Sequence, residues 1–289
     1  MKTTRTLIAA ALALAASQAA LAIDVDAGDY TALPAGTNLF LSYYQYATRD
    51  AVYTQGARAP GQPKLESHIG IVRGVKYVNV GGYIVGPEVL LPFGRLRAKG
   101  DISALGSNSA VGDIILGLPV WFSRPDAKAH VGVTPYLILP TGQYDRNDPL
   151  SLGENRWRFI LQAGGAQPLT DALTVDIAAD VQYHGRNTDF GPKSQLLKQK
   201  PLYEVQGFLR YRVAPGADLR VGLQHLRGGE TAIDGLRQGD RQKLTKAQVG
   251  GSLFISPRQQ VLATYGRDLS VRTGFKEDHR LNLRFLQVF

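Results

Sequence analysis

Apolar and polar positions alternate with a period of two through most of the second half of this chain. In LTVDIAADVQYH, Leu173, Val175, Ile177, Ala179, Val181 and Tyr183 share one face, while Asp176, Asp180, Gln182 and His184 share the other. Successive side chains of a strand point to opposite sides, so this spacing predicts strands rather than helices. RWRFILQAG repeats the pattern, with Trp157, Phe159, Leu161 and Ala163 opposed to Arg156, Arg158 and Gln162. LYEVQGFLRYRV sets Tyr203, Val205, Leu209, Tyr211 and Val213 against Glu204, Gln206, Arg210 and Arg212. Segments starting at Leu219, Lys246 and Gln260 follow the same rule. Their lengths approach the roughly 9 to 11 residues of a tilted strand that crosses a bilayer.

Nearer the amino terminus the alternation is less clean. Gly112 to Phe122 and His130 to Pro140 read as strands. NLFLSYYQYA, ESHIGIVRGVK and YVNVGGYIVGPEVLL read as strands of unsettled facing, because Arg73 and Glu88 disturb the parity; Gly81-Gly82 suggests a bulge. With the terminal RLNLRFLQVF the total is about twelve strands, an even number. Short connections rich in turn formers, such as QPLTDA, APGAD and SPRQ, alternate with long polar ones. The predicted long loops are 48–64, 92–110, 141–155, 185–201, 227–243 and 270–279. Short turns on one side and long loops on the other predict an all-β fold: a single transmembrane antiparallel β-barrel with periplasmic turns, extracellular loops and both termini periplasmic.

The first 22 residues support that destination. Lys2 and Arg5 precede an apolar run from Leu7 to Ala16, and Ala20-Leu21-Ala22 closes it, the layout of a secretory signal peptide cleaved after Ala22. The remaining residues, 23–289, read as one barrel domain of the cell outer membrane. No later segment has the roughly 20 apolar residues of a membrane helix. The chain has no cysteine and its single methionine is Met1, so disulfides and thiol chemistry are excluded. Formal charge is +9, or +7 once Lys2 and Arg5 leave with the leader. An exported protein rarely meets nucleic acid, so this balance points away from a nucleic-acid partner.

A soluble periplasmic ligand-binding barrel would alternate too, with its apolar face turned inward. Strand number favours the membrane, because about twelve tilted strands enclose a lumen too wide for an apolar core to fill. Aromatics at strand ends, among them Trp121, Phe122, Tyr136, Trp157, Tyr183, Tyr203 and Tyr211, fit interfacial girdles facing lipid. Certain pieces also carry a resemblance in their order: Gly112-Asp113 at one strand start, Pro140-Thr141-Gly142 with Tyr144 at the end of another, then RWRFILQAGGAQPLT and LTVDIAADVQYH. In that order, over about residues 38–289, the chain resembles the outer-membrane barrels of the meta-pathway phenol-degradation family. The resemblance implies a porin-like transporter of small, often aromatic, compounds.

In a membrane barrel the face opposite the apolar one lines the lumen. Parity places Arg156, Arg158, Arg210, Arg212, Arg220, Lys246, Arg280 and Arg284 there, against Asp113, Asp176, Asp180, Glu204 and Asp268. Eight bases against five acids predict a basic pore, which favours passive diffusion of anionic or aromatic solutes. The same groups can instead pair across strands, with Glu204 or Asp180 satisfying Arg210 and Arg212, and stiffen a closed wall. Residues 23–37 precede the first strand, a stretch too short to suggest a plug.

An outer-membrane lipid hydrolase is the competing class. His225 falls on the lipid face, but Ser252 on the next strand has lumen parity, which argues against a Ser-His pair. No nucleotide, cofactor or zinc-hydrolase motif occurs. Asp145 and Asp148, in YDRNDPLSLGEN, are at most weak calcium ligands on a solvated loop. The chain ends in LNLRFLQVF, with Leu281, Leu283, Phe285 and Phe289 predicted toward lipid and Asn282 and Arg284 toward the lumen. This ending resembles the terminal strand signature of outer-membrane barrels, whose last aromatic is read by the barrel-assembly machinery; Gln287 departs from it.

Overall fold

The computed structural model describes residues 25–289 and is almost entirely β-structure. The predicted leader lies outside the described residues. Twelve staves form the wall: β1 Asn38–Thr54, β2 Pro63–Lys76, β3 Glu88–Gly100, a broken β4, β5 His130–Ile138, β6 Arg158–Pro168, β7 Leu173–His184, β8 Leu202–Ala214, β9 Ala217–Gly228, β10 Gln242–Ser256, β11 Gln259–Val271 and β12 Gly274–Val288. The fourth stave runs as Ser107–Val111, Ile115–Gly117 and Val120–Trp121. Each stave is antiparallel to the next, and β12 returns to β1 from Leu39↔Val288 to Tyr53↔Gly274. Closure removes the free edges whose unpaired backbone groups lipid cannot satisfy.

Facing separates a membrane barrel from a soluble one. Large apolar side chains stand on the outside, with Leu223 58% and Ile177 56% exposed, while charged ones are enclosed, with Asp268 0% and Glu204 1% exposed. That is the inverse of a water-soluble barrel.

The short-turn side is as predicted between β8 and β9, at Pro215-Gly216, and between β10 and β11, at Pro257-Arg258. Both chain ends of the wall meet there, where the Phe289 amide donates to the Asn38 carbonyl. On the opposite side, three of the six predicted long loops are long: 139–157, 185–201 and 229–241. The other three are corrected. Residues 48–54, 92–100 and 274–279 are strand, and the connections shrink to 55–62, 101–106 and 272–273. Those stretches are polar because the staves rise past the apolar band, and their backbones still pair across the ladder.

YVNVGGYIVGPEVLL is also corrected. It is a small hairpin, Val78–Val80 with Tyr83–Val85, followed by the start of β3. Gly81 and Gly82 are its two-residue turn rather than a bulge, with φ of 59° and 89° as such a turn demands.

Candidate channel lumen

Ion pairing organises the inside of the barrel, and the largest cluster is centred on Glu277. This β12 carboxylate meets Arg49 of β1, Lys246 of β10 at 2.7 Å and Arg280 at 3.4 Å, all with side chains less than a tenth exposed. Asp268 accepts the Glu277 backbone amide at 2.7 Å. A second cluster surrounds Glu154, at the end of the loop 139–157. Its two oxygens take Arg156 and Arg158, each at 2.6 Å, and its carbonyl accepts Asn187 Nδ2. Burial opposes the charge, but Arg158 and Arg156 outweigh it and hold the Glu154 carboxyl down at about 2. Its contribution to stability is therefore complete above the ordinary value of 4.5 and is lost as the pH falls to about 2.

The other predicted lumen residues are paired as well. Asp176 holds Arg210 at 2.6 Å, Asp180 accepts Gln162 and Gln182, and Glu204 accepts Gln224. Arg220 is bound by Asp218 at 2.7 Å and by Ser252. Arg210 thus takes Asp176, not the predicted Glu204 or Asp180. Arg212 departs further: it is exposed and donates to the Asp171 carbonyl at the periplasmic turn.

Asp113 joins the two short motifs of the sequence. Its oxygens accept the amides of Gly142 at 2.8 Å and Glu154 at 3.0 Å, while Thr141 Oγ1 accepts the Ile114 amide. A Cβ on Gly142 would lie 2.6 Å from the Gly112 carbonyl carbon, so glycine is required there. This junction folds the loop 139–157 into the barrel mouth. Leu150 and Leu152 are buried there against Val52, Leu65, Ile69, Leu96 and Phe275.

The periplasmic half is crossed by residues 25–32, which overturns the expectation that this segment is too short to plug. Its backbone amides bond to wall side chains: Val25 to Gln206 at 3.2 Å, Gly28 to Asp176 at 3.0 Å and Ala32 to His130 at 3.4 Å. Tyr30 bonds Thr134 and Gln162, and Trp121 Nε1 donates to the Tyr30 carbonyl. Asp26 and Asp29 both reach Arg284, at 2.9 and 3.1 Å, and Asp29 also reaches Arg73 at 3.3 Å. Arg73 is held by Glu88 at 2.6 Å. The two charges that disturbed parity in the sequence are thus an inward-facing pair. Above the segment the cavity is about 80 Å³, room for a few waters.

One wall of this lumen is apolar. Leu90, Ile115, Tyr136, Ile138 and Ile160 pack together on the inner faces of β3 to β6, with Ile71 beside them, so Tyr136, like Trp121, faces inward and not the lipid girdle expected of it. Most of the ion pairs lie on β7 to β12, facing inward.

The predicted basic excess is not kept. Glu88, Glu154, Asp218 and Glu277, with Asp26 and Asp29 from the segment, add six carboxylates to the five predicted acids. Arg49 and Arg73 add two cations, and Arg212 falls away, leaving nine cations against eleven carboxylates among the described residues. Sequence reasoning missed Glu277 and Glu154 because both sat in segments read as loop.

A family model described as "Putative MetA-pathway of phenol degradation" matches residues 48–285. The chain belongs to that family. The crystal structure of the COG4313 outer membrane channel from Pseudomonas putida F1 is 42% identical, with a TM-score of 0.89, covering 92% of this chain and 100% of that one. More distant barrels share the fold alone. The β domain of the Bordetella autotransporter BrkA is 10% identical with a TM-score of 0.55, covering 89% of this chain and 100% of that one. The transport unit of AIDA-I from Escherichia coli is 8% identical with a TM-score of 0.53, covering 96% and 97%. No curated protein matches the sequence. With its inverted facing and this membership, the chain is an outer-membrane β-barrel.

The residues weighed for other chemistry are engaged elsewhere. His225 bonds Thr245 Oγ1 at 3.0 Å, and Ser252 donates to Asp218 at 2.8 Å. Asp145 and Asp148 accept amides of their own loop, from Asn147 and Leu150. Among the described residues no group of three or more His, Asp or Glu could hold a metal ion.

Proposed function

We propose that this chain is a porin-like outer-membrane channel through which small aromatic compounds diffuse passively. The observation that carries this reading is the two-sided lumen: an apolar inner wall from Leu90 to Ile160 faces a wall of paired ions. An aromatic ring can lie against the first while its polar substituent exchanges hydrogen bonds along the second. The 42% identical relative, itself described as an outer membrane channel, supports the same role.

Proteoliposome swelling tests the proposal. Vesicles carrying the protein should swell in isosmotic sodium benzoate faster than protein-free vesicles, and faster than the same proteoliposomes in arabinose. Equal rates with and without protein would overturn it, and a lipid hydrolase would announce itself instead by release of fatty acid from the vesicle lipid.

We further propose that Phe289, 67% exposed beyond the last stave, is the address read by the barrel-assembly machinery. Deleting Phe289 should reduce the heat-modifiable, membrane-inserted fraction severalfold; an unchanged fraction would remove that role.

A further inference from the structure

We infer that Arg73 and Arg284 form a carboxylate-binding site whose resident occupants are Asp29 and Asp26 of the chain itself. An aromatic monocarboxylate takes the site by displacing residues 25–32. The inference rests on the channel reading and adds to it a ligand class and a means of opening.

Both arginines keep their places without the segment. Arg73 Nε and Nη2 are fixed by Glu88, and Arg284 Nη2 donates to Gln260 at 2.7 Å. The segment is therefore bound by groups preorganised to receive carboxylate oxygens. Arg73 Nη1 and Arg284 Nη1 are what it uses, and Arg284 Nε is buried with no hydrogen-bond partner. Ile71, Leu90 and Tyr136 line the same cavity and offer the apolar surface a ring needs.

Charge sets the ligand class. With the segment seated, Asp26, Asp29 and Glu88 face Arg73 and Arg284. Without it Glu88 alone remains, and the site carries one net positive charge, the complement of a single carboxylate.

The segment is built to leave. The amides of Val25, Gly28 and Ala32 bond to wall side chains, Gln206, Asp176 and His130, and those of Asp29 and Thr31 to carbonyls within the segment, whereas the wall is joined by backbone ladders. The Asp26 and Asp29 side chains keep 23% and 20% of their exposure, so their ion pairs are less enclosed than those of the Glu277 cluster. Beyond the segment the chain is tied down, with the Tyr77 amide donating to Thr37 and Gly36 in the left-handed region at φ 95°. Residues 25–32 can therefore swing about 33–37 while the barrel stays closed. Swinging also makes room, since the cavity above the seated segment is only about 80 Å³.

The chain has no cysteine, so a single introduced thiol reports on the segment alone. Ala27 is buried and its carbonyl accepts Arg220 Nη1. In detergent-solubilised protein carrying Ala27→Cys, sodium benzoate should speed labelling by a charged maleimide roughly tenfold, the scale of releasing two ion pairs. Benzamide, its neutral isostere, should leave the rate unchanged at equal ionic strength. Adding Asp26→Asn and Asp29→Asn should make labelling fast without benzoate and indifferent to it, with the heat-modifiable gel shift retained. The inference is overturned if benzoate has no effect, if benzamide acts equally, or if the doubly neutralised segment labels as slowly as the native one. Benzoate-driven labelling in a protein whose liposomes do not swell would sink the channel reading and leave the exchange site standing. Swelling with labelling unmoved would do the reverse.

Discussion

Replacing Glu277 with glutamine should destabilise the folded barrel by about 3 to 5 kcal/mol, the range for breaking a buried ionic network by removing one partner. Arg49, Lys246 and Arg280 all converge on this carboxylate from three staves, and β12 and β1 are the pair that closes the barrel. Glutamine fills the same space but carries no charge, so three cations are left around Asp268, which is already committed to the Glu277 amide. The loss would appear as a lower urea midpoint for the heat-modifiable band. Adding Lys246→Met should restore part of it, because one uncompensated cation is removed at near-constant volume. A midpoint unchanged by Glu277→Gln would show that the cluster is solvated and contributes little.

The contrast between the two halves of the barrel explains what could be read from the sequence. In β6 to β12 the two faces differ chemically: Val175 and Ile177 meet lipid while Asp176 meets Arg210, so period-two reasoning finds both strand and facing. In β1 to β5 the lumen side is apolar as well, with Leu41, Leu65, Ile69 and Leu90 buried inside. Hydropathy then marks both faces alike. Arg73 and Glu88 looked like errors of parity only because Ile71 and Leu90 beside them are inward too.

The missing carboxylates have a different cause. Glu277 lies where β12 rises past the apolar band, and Glu154 ends a loop that folds back into the mouth; polarity alone reads both as solvated. Length alone reads 23–37 as too short to plug, yet its 13 described residues would reach about 40 Å if extended, enough to cross a lumen. Gly112-Asp113 and Thr141-Gly142 are each uninformative as dipeptides. Their meaning is the contact between them, Asp113 accepting the Gly142 amide, and no periodicity encodes a contact across 29 positions.

Outward facing is itself open to direct measurement, and the second large effect follows from it. Leu223, in the middle of β9, is 58% exposed on the outer wall, between Gly207 of β8 and Ala247 of β10 and on the same apolar surface as Val221 and Val249. Leu223→Arg should cost about 2 to 4 kcal/mol in a bilayer, the depth-dependent penalty for a cation near the midplane of a barrel's lipid face. In a soluble barrel the same site would face water, and an arginine there would be nearly neutral. The inward neighbour Gln224 gives the control: Gln224→Leu would take one 2.6 Å donor from the buried Glu204 carboxylate and destabilise by roughly 1 to 3 kcal/mol through a lost buried hydrogen bond, not through lipid. Folding titrations into vesicles of different thickness separate the two mechanisms. The Leu223→Arg penalty should fall as the bilayer thins and the arginine reaches the headgroups, whereas the Gln224→Leu penalty should stay constant. A Leu223→Arg effect independent of thickness would place its origin inside the wall and reverse the facing on which the lumen depends.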